Sequence, residues 1–159
     1  MDFRSDNVSG TYPRVVEALV AASQGSASPY GADDWTHRLA SRLCSLFERD
    51  LAVFPVATGT AANALSLALL SPPWGVVYCH ATSHVQVDEC GAPEFFTGGA
   101  KLTPIPGASG KLTPATVEAA IDGTGVVHAA QPAALSISQA TECGTVYRRD
   151  EIAALGETA

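Results

Sequence analysis

The stretch that decides the fold is residues 51–70, LAVFPVATGTAANALSLALL. Its first half is apolar and rich in residues that favour strands, and its middle is small and polar. Its second half repeats Ala and Leu without a helix breaker. This order predicts a strand, a turn and a helix.

The predicted turn, Thr58-Gly59-Thr60, is suited to binding a phosphate. Gly59 lets backbone amides approach a ligand, and the two threonine hydroxyls are donors. The following helix directs its unpaired N–H groups and the positive end of its dipole to the same place. The alternative is that Thr60 only caps a core helix, since caps of this type are common.

Composition limits the class of protein. The chain has 159 residues, 47% apolar and 16% charged, which is typical of one folded domain. Its net charge of −7 and the lack of a basic run argue against nucleic-acid and acidic-membrane partners. No apolar run approaches the roughly 20 residues of a spanning helix, and the start, MDFRSD, is unlike a signal peptide. We therefore expect a cytoplasmic protein.

The cysteines indicate neither a metal site nor a disulfide framework. They are widely spaced and form no CxxC pair: Cys44, Cys79, Cys90 and Cys143. We expect buried free thiols and no metal.

Helical and strand patterns alternate along the rest of the chain. Residues 1–10 would form an arm. We expect five helices in addition to the one after the Thr58-Gly59-Thr60 turn: over 13–25, from Asp33 or Asp34 to before Asp50, over 83–91, from Thr113-Pro114 to Ile121, and over 150–159. We expect strands over 76–80, 101–106 and 133–138. This alternation predicts an α/β fold with a mainly parallel sheet and helices on both faces, with ligands beyond the carboxyl ends of the strands.

The last predicted helix is followed by no strand that returns the chain to the sheet. Helices of such folds normally lead to another strand, so we expect a truncated chain. The alternative is a compact domain that ends in a helix.

Four polar patches fall in loops or at the starts of elements: Ser5-Asp6-Asn7, Tyr30-Gly31, Thr58-Gly59-Thr60 and Ser83-His84. Alone, each is weak, since His84 could simply begin a helix and Tyr30 could simply pack. Their order is specific: RSDN, PYGADDW, ATGTAAN, TSHVQVDECGAPEFF and QPAALSISQATECGTVY. Over essentially the whole chain, this order resembles the L-threonine aldolase and β-eliminating lyase family of pyridoxal-phosphate enzymes.

The resemblance implies the type I aminotransferase-like fold, a pyridoxal 5'-phosphate cofactor and a homodimer or homotetramer whose active sites are shared across an interface. Residues 1–32 would form an arm, a helix and an active-site loop. Residues 33–159 would form the first part of the cofactor-binding large domain, and the carboxyl-terminal small domain would be absent.

The resemblance also assigns roles to residues. It implies that Gly59 and Thr60, with Thr58, hold the cofactor phosphate, and that His84 stacks on the pyridine ring. Ser5 matches the position that binds the carboxylate of the amino-acid substrate. Tyr30 lies in the loop that lines the site, in the family often that of the neighbouring subunit.

Four further residues lie near these motifs. Gln139 stands where many aldolases of the family have a histidine that is proposed to handle the hydroxyl proton of the substrate. Glutamine is not a base near neutral pH, so the catalytic role of Gln139 would be to orient a water or hydroxyl. Asp6 either contributes to the site or only shapes the arm. For Asn63 and Glu142, structural hydrogen bonding is the favoured interpretation.

The lysine that binds the cofactor covalently has no match in these residues. Lys101 precedes a proline-interrupted strand and Lys111 lies in a Gly/Ser loop. We therefore predict that the polypeptide alone is inactive or nearly so.

The family reaction would be cleavage of L-threonine or L-allo-threonine to glycine and an aldehyde. One alternative is another β-eliminating lyase of the same fold. A second is a non-catalytic binder of a phosphate ligand or nucleotide, although TGTAAN lacks the GxGxxG spacing of dinucleotide sites. A third is an inactive chain that is held by a partner half.

Overall fold

A computed structural model describes residues 8–159. The chain forms two compact units, Met1–Pro55 and Val56–Ala159. The predicted domain boundary between residues 32 and 33 remains a prediction.

The described residues of the first unit contain the α-helices α1 (Pro13–Ala22) and α2 (Asp34–Phe47). Proline occupies the first turn of α1, where its missing N–H costs no hydrogen bond. Asp33 caps α2 as predicted, because its carboxylate accepts hydrogen bonds from the Thr36 backbone N at 2.9 Å and the Thr36 hydroxyl at 2.7 Å. The backbone bond and then the hydroxyl bond lower the pKa of Asp33.

The second unit alternates helices and strands. Its elements are α3 (Gly59–Leu70), β1 (Gly75–His80), α4 (His84–Val87), α5 (Ala92–Phe96), β2 (Lys101–Ile105), a 3₁₀ turn (Ala108–Gly110), α6 (Pro114–Ala120), β3 (Gln131–Leu135) and α7 (Arg149–Thr158). The predicted strands near 76, 101 and 133 are therefore present, with shifted ends.

The three described strands form a parallel sheet in the order β2-β1-β3. Val76 pairs with Lys101 on one side of β1 and with Pro132 on the other. Pro104 lies in β2, at the edge of the described sheet, where its missing donor is tolerated. The parallel α/β fold is confirmed.

Every residue of β1 is buried, and its side chains alternate between two apolar clusters. Val76 and Tyr78 belong to a cluster with Val117 of α6 and Leu155 of α7. On the other face, residues 77 and 79 pack with residues from α3 and α4. Helices therefore cover both faces of the sheet, as its run of apolar residues predicts.

The strand predicted for the first half of residues 51–70 is wrong. Residues 51–56 pair with no strand in the described part of the chain, and the side chain of Phe54 is 81% exposed. Instead, the backbone N of Leu51 donates to the Cys44 sulfur at 3.3 Å. An apolar run favours extended backbone, but a strand also needs the edge of a neighbouring strand.

The helix expected over residues 83–91 is shorter than predicted. It ends at Val87, and the chain turns through left-handed backbone at Cys90 (φ 49°) and Gly91 (φ 74°) before α5 begins. The expectation of buried thiols is also wrong in part, since only Cys79 is fully buried and Cys90 and Cys143 are exposed. All four cysteines are free.

Within residues 8–159, none of the helices combines the length and apolar character that crossing a membrane requires. The same residues contain no cluster of three or more His, Cys, Asp or Glu side chains that could hold a metal ion.

Candidate functional site

The amino-terminal end of α3 presents free backbone donors. Thr58, in extended backbone, caps the helix, and its hydroxyl accepts from the Ala61 N at 3.1 Å. The cap is therefore two residues earlier than the expected Thr60. The first intrahelical bond runs from the Ala62 N to the Thr58 carbonyl, so the N–H groups of Gly59 and Thr60 have no acceptor inside the helix.

The space beside this helix end is open. A Cβ added at Gly59 would meet no atom of another described segment within 4 Å, and Thr58 and Gly59 are both exposed. Free N–H groups, a positive dipole end and open space together form a suitable anion site.

The carboxyl end of β1 is fixed by hydrogen bonds of His80. Its Nδ1 accepts from the Thr82 backbone N at 3.1 Å, and its Nε2 therefore donates to the Gly107 carbonyl at 3.0 Å. The Ser83 hydroxyl donates to the His80 carbonyl at 2.7 Å. These bonds define the turn from which α4 begins, and His84 is its first residue.

His84 and α3 are connected through one buried carboxylate. Glu89 Oε1 contacts His84 Nδ1 at 2.8 Å and accepts from Asn63 Nδ2 at 2.6 Å. Asn63 lies one turn inside α3, so His84 is two hydrogen bonds from the turn that follows Thr58-Gly59-Thr60. The structure thus places the predicted phosphate motif and the predicted stacking histidine in the same region of the second unit.

The surroundings of His84 favour its charged form. The hydrogen bond to Glu89 raises the pKa of His84, desolvation opposes this, and the negative charges of Glu89, Glu142 and Asp88 add to the increase. The His84 side chain is 47% exposed, whereas that of Glu89 is completely buried. One nitrogen of the ring is held by the protein while half of the side chain remains accessible.

Gln139 is held by backbone hydrogen bonds. Its Nε2 donates to the Tyr147 carbonyl at 3.0 Å, and its Oε1 accepts from the Tyr147 N at 2.8 Å. Tyr147 is buried, and its hydroxyl accepts from the Leu112 N at 2.7 Å. The amide of Gln139 therefore closes the loop over residues 140–146, and its catalytic role remains a prediction.

The remaining predicted residues lie elsewhere or outside the description. Ser5 and Asp6 lie outside the described residues. Tyr30 belongs to the first unit, has left-handed backbone (φ 60°) and has a fully exposed side chain. Glu142 is exposed and contributes to the field at His84.

Sequence reasoning missed Glu89 and underrated Asn63. The available signal was an acidic residue five positions after His84, next to the Cys90-Gly91 turn. Asp88 is also an acidic residue between His84 and the Cys90-Gly91 turn, but it is exposed. The sequence therefore does not show which of Asp88 and Glu89 is the buried acid.

Comparison with known proteins supports one family. A family model described as beta-eliminating lyase matches residues 2–159. The low specificity L-threonine aldolases of Pseudomonas sp. (strain NCIMB 10558) and Pseudomonas aeruginosa PAO1 are each 44% identical to this chain over 156 residues, which is 98% of the chain and 45% of each relative. The chain thus spans less than half the length of these curated relatives.

A solved structure supports the same conclusion. The threonine aldolase of Leishmania major superposes with a TM-score of 0.87 at 28% sequence identity, and the match covers 94% of this chain and 44% of that one. Fold, motif order and sequence therefore agree, and the chain belongs to the beta-eliminating lyase family, whose members depend on pyridoxal phosphate.

Proposed function

We propose that this chain contributes the phosphate-binding and ring-stacking part of a pyridoxal-phosphate-dependent lyase. The enzyme would cleave a β-hydroxy-α-amino acid, L-threonine or L-allo-threonine, to glycine and an aldehyde. The main support is the shared Glu89 oxygen, which connects His84 to the helix that begins after Thr58. The two Pseudomonas relatives are low specificity L-threonine aldolases, which supports the substrate class.

The residues fit the cofactor. Within residues 8–159, the N–H groups of Gly59 and Thr60 have no acceptor and could bind a phosphate, and α3 is a helix of 12 residues with its positive end at that point. The half-exposed imidazole of His84 offers a flat surface to an aromatic heterocycle. When bound, pyridoxal phosphate supplies an electron sink for cleavage of the Cα–Cβ bond.

Each predicted site residue would then have one role. Gly59 and Thr60, with the hydroxyl of Thr58, would bind the phosphate, and His84 would hold the ring plane. Ser5 would bind the substrate carboxylate and Tyr30 would line the site, in the family often that of a neighbouring subunit. We therefore also propose a homodimer or homotetramer for the full-length enzyme.

The hydroxyl proton of the substrate needs a base other than Gln139. Glutamine does not take up a proton near neutral pH, and both ends of this amide already bond to the Tyr147 backbone. We infer that a water molecule or another residue removes this proton. Because Gln139 replaces the histidine that is proposed for aldol cleavage, the second candidate function is that of a different β-eliminating lyase of the same fold.

We infer that neither lysine of these 159 residues binds the cofactor covalently. Lys101 is exposed at the start of β2, and Lys111 Nζ forms an ion pair with Glu151 at 2.7 Å. We infer that the 159 residues alone bind the cofactor phosphate without catalysing the reaction.

Borohydride reduction tests the last inference. The chain is mixed with pyridoxal phosphate, reduced and analysed by mass spectrometry, with Lys101→Arg and Lys111→Arg as controls for nonspecific labelling. We expect reversible binding that inorganic phosphate displaces and no stoichiometric lysine adduct. A stoichiometric adduct that one lysine variant abolishes would contradict the inference.

A hybrid enzyme tests the reaction. Residues 1–159 replace the matching part of the Pseudomonas aeruginosa relative, and His84→Asn is made in the same hybrid. We expect glycine and acetaldehyde from threonine, with a large loss in the His84 variant. Pyruvate and ammonia from a cysteine-like substrate would favour the second candidate, and a folded, cofactor-bound hybrid that forms neither product set would contradict both.

A further inference from the structure

We propose that Glu89 is a positioning residue: its buried carboxylate, anchored by Asn63, fixes the His84 ring and keeps a proton on Nδ1. This inference rests on the proposed function in one respect, which is that His84 faces the cofactor. The location of the proton is a property of the chain itself.

The shared oxygen is the first support. Glu89 Oε1 lies 2.6 Å from Asn63 Nδ2 and 2.8 Å from His84 Nδ1. An ionised carboxylate only accepts hydrogen bonds, so the nitrogen that contacts it carries the proton. In the neutral ring, Nε2 is then the unprotonated nitrogen, and it is the one that titrates.

Burial is the second support. The Glu89 side chain has no exposed surface, and its Oε2 has no hydrogen-bond partner within residues 8–159. Removing a carboxylate from water is costly unless donors replace the water. Asn63 and His84 are the donors that this carboxylate has in the described part of the chain, and only His84 can also supply a positive charge.

The charges around His84 act in the same direction. In the described part of the chain, the charges that act on it are those of Glu89, Glu142 and Asp88, and all three are acidic. Among residues 8–159, only Glu89 forms a hydrogen bond with the ring, while Asp88 and Glu142 are exposed and act through the solvent-screened field. The orienting effect should therefore depend on Glu89 and not on the adjacent acid.

The unmodified chain gives the first test. Long-range ¹H–¹⁵N NMR on the labelled chain identifies the protonated nitrogen of each histidine ring, and a His84→Asn variant assigns the signal. We expect the neutral His84 ring to be the Nδ1–H form. A neutral ring that is protonated mainly at Nε2 would overturn the proposal.

Two matched variants give the second test. Glu89→Gln removes the charge and keeps the side-chain size, whereas Asp88→Asn removes the adjacent charge and keeps the hydrogen bond. We expect the proton affinity of His84 to fall about tenfold in Glu89→Gln and less than about threefold in Asp88→Asn. Equal changes in the two variants, or no change in a folded Glu89→Gln, would contradict the proposal.

Circular dichroism shows whether the Glu89→Gln variant is folded, and a third variant tests the role of Asn63. Asn63→Ala removes the anchor and leaves the carboxylate, so we expect a smaller loss of proton affinity and a mixture of the two neutral ring forms. Retention of a pure Nδ1–H ring would exclude the anchoring role of Asn63.

Titration with pyridoxal phosphate separates this inference from the proposed function. If the chain does not bind pyridoxal phosphate while His84 has the Nδ1–H ring, the proposed function fails and the positioning role stands. If it binds the cofactor while His84 is protonated at Nε2, the positioning role fails alone.

Discussion

The two units of the chain contrast in how their apolar residues are used. Neither α1 nor α2 has a buried residue, although Val15, Val16, Leu19 and Val20 repeat on one side of α1. In the second unit, every residue of β1 is buried between two layers of helices. A helical period therefore predicts the helix, but burial requires another element that packs against it.

Two leucine substitutions should show the largest difference between the units. Leu155 of α7 is 2% exposed, whereas Leu19 of α1 is 63% exposed. We expect Leu155→Ala to reduce the free energy of unfolding by about 2–5 kcal/mol, because it removes buried methyl groups and leaves a cavity. For Leu19→Ala we expect less than about 0.5 kcal/mol, because an exposed side chain loses little burial.

Urea denaturation measures both changes if each unit has its own probe. Trp35 lies in the first unit and Trp74 in the second, so a Trp→Phe change at one position leaves the fluorescence of the other unit. A comparable loss from both leucine changes would contradict the contrast.

A buried hydroxyl should have the next largest effect. Tyr147→Phe removes the acceptor of the Leu112 N–H, which then lies buried without a partner. We expect a loss of about 1–3 kcal/mol in the free energy of unfolding. Tyr12→Phe is the control, because Tyr12 is 64% exposed in the first unit, and its urea midpoint should not change.

The cap of α3 should matter less to stability and more to binding. Thr58→Ala removes the acceptor of the Ala61 N–H, and we expect a loss of about 1 kcal/mol. Thr60→Ala leaves that bond intact, so it should weaken binding of pyridoxal phosphate with little effect on the urea midpoint. Equal stability losses would show that Thr60 also supports the helix.

The pH dependence of His84 should be the smallest effect. Its pKa in the folded chain is raised above 6.5, so the stability that it contributes is complete below 6.5 and is lost as the pH rises through the folded value. We expect the difference in urea midpoint between the wild type and His84→Asn to shrink over this range. A difference that grows with pH would contradict the sign, and Asp88→Asn should largely preserve the trend.

Much of the second unit follows from local sequence. Thr113 caps α6 and Pro114 lies in its first turn, as Thr113-Pro114 predicts, and Asp33 caps α2 in the first unit. The apolar run at β1 predicts a strand that is buried on both faces. Each of these features depends on residues within one helical turn or one strand, so it can be predicted from the local sequence.

Residues 51–56 are a segment whose structure could not be predicted from local sequence. Their composition favours a strand, yet strand formation depends on a neighbouring edge that the composition does not specify. The cap at Thr58 instead of Thr60 is a smaller error of the same kind, because both threonines have the chemistry of a cap.

The sequence by itself determined the three strands of the parallel sheet, most of the helices around them and the family, because these depend on short-range patterns and on motifs in a fixed order. Only the tertiary structure decided that Glu89 and not Asp88 binds His84, and that Asn63, 26 residues away from Glu89, reaches the same oxygen. The reason is physical: a hydrogen bond between distant segments depends on the packing of α3 against the elements after β1, and no local pattern encodes that distance.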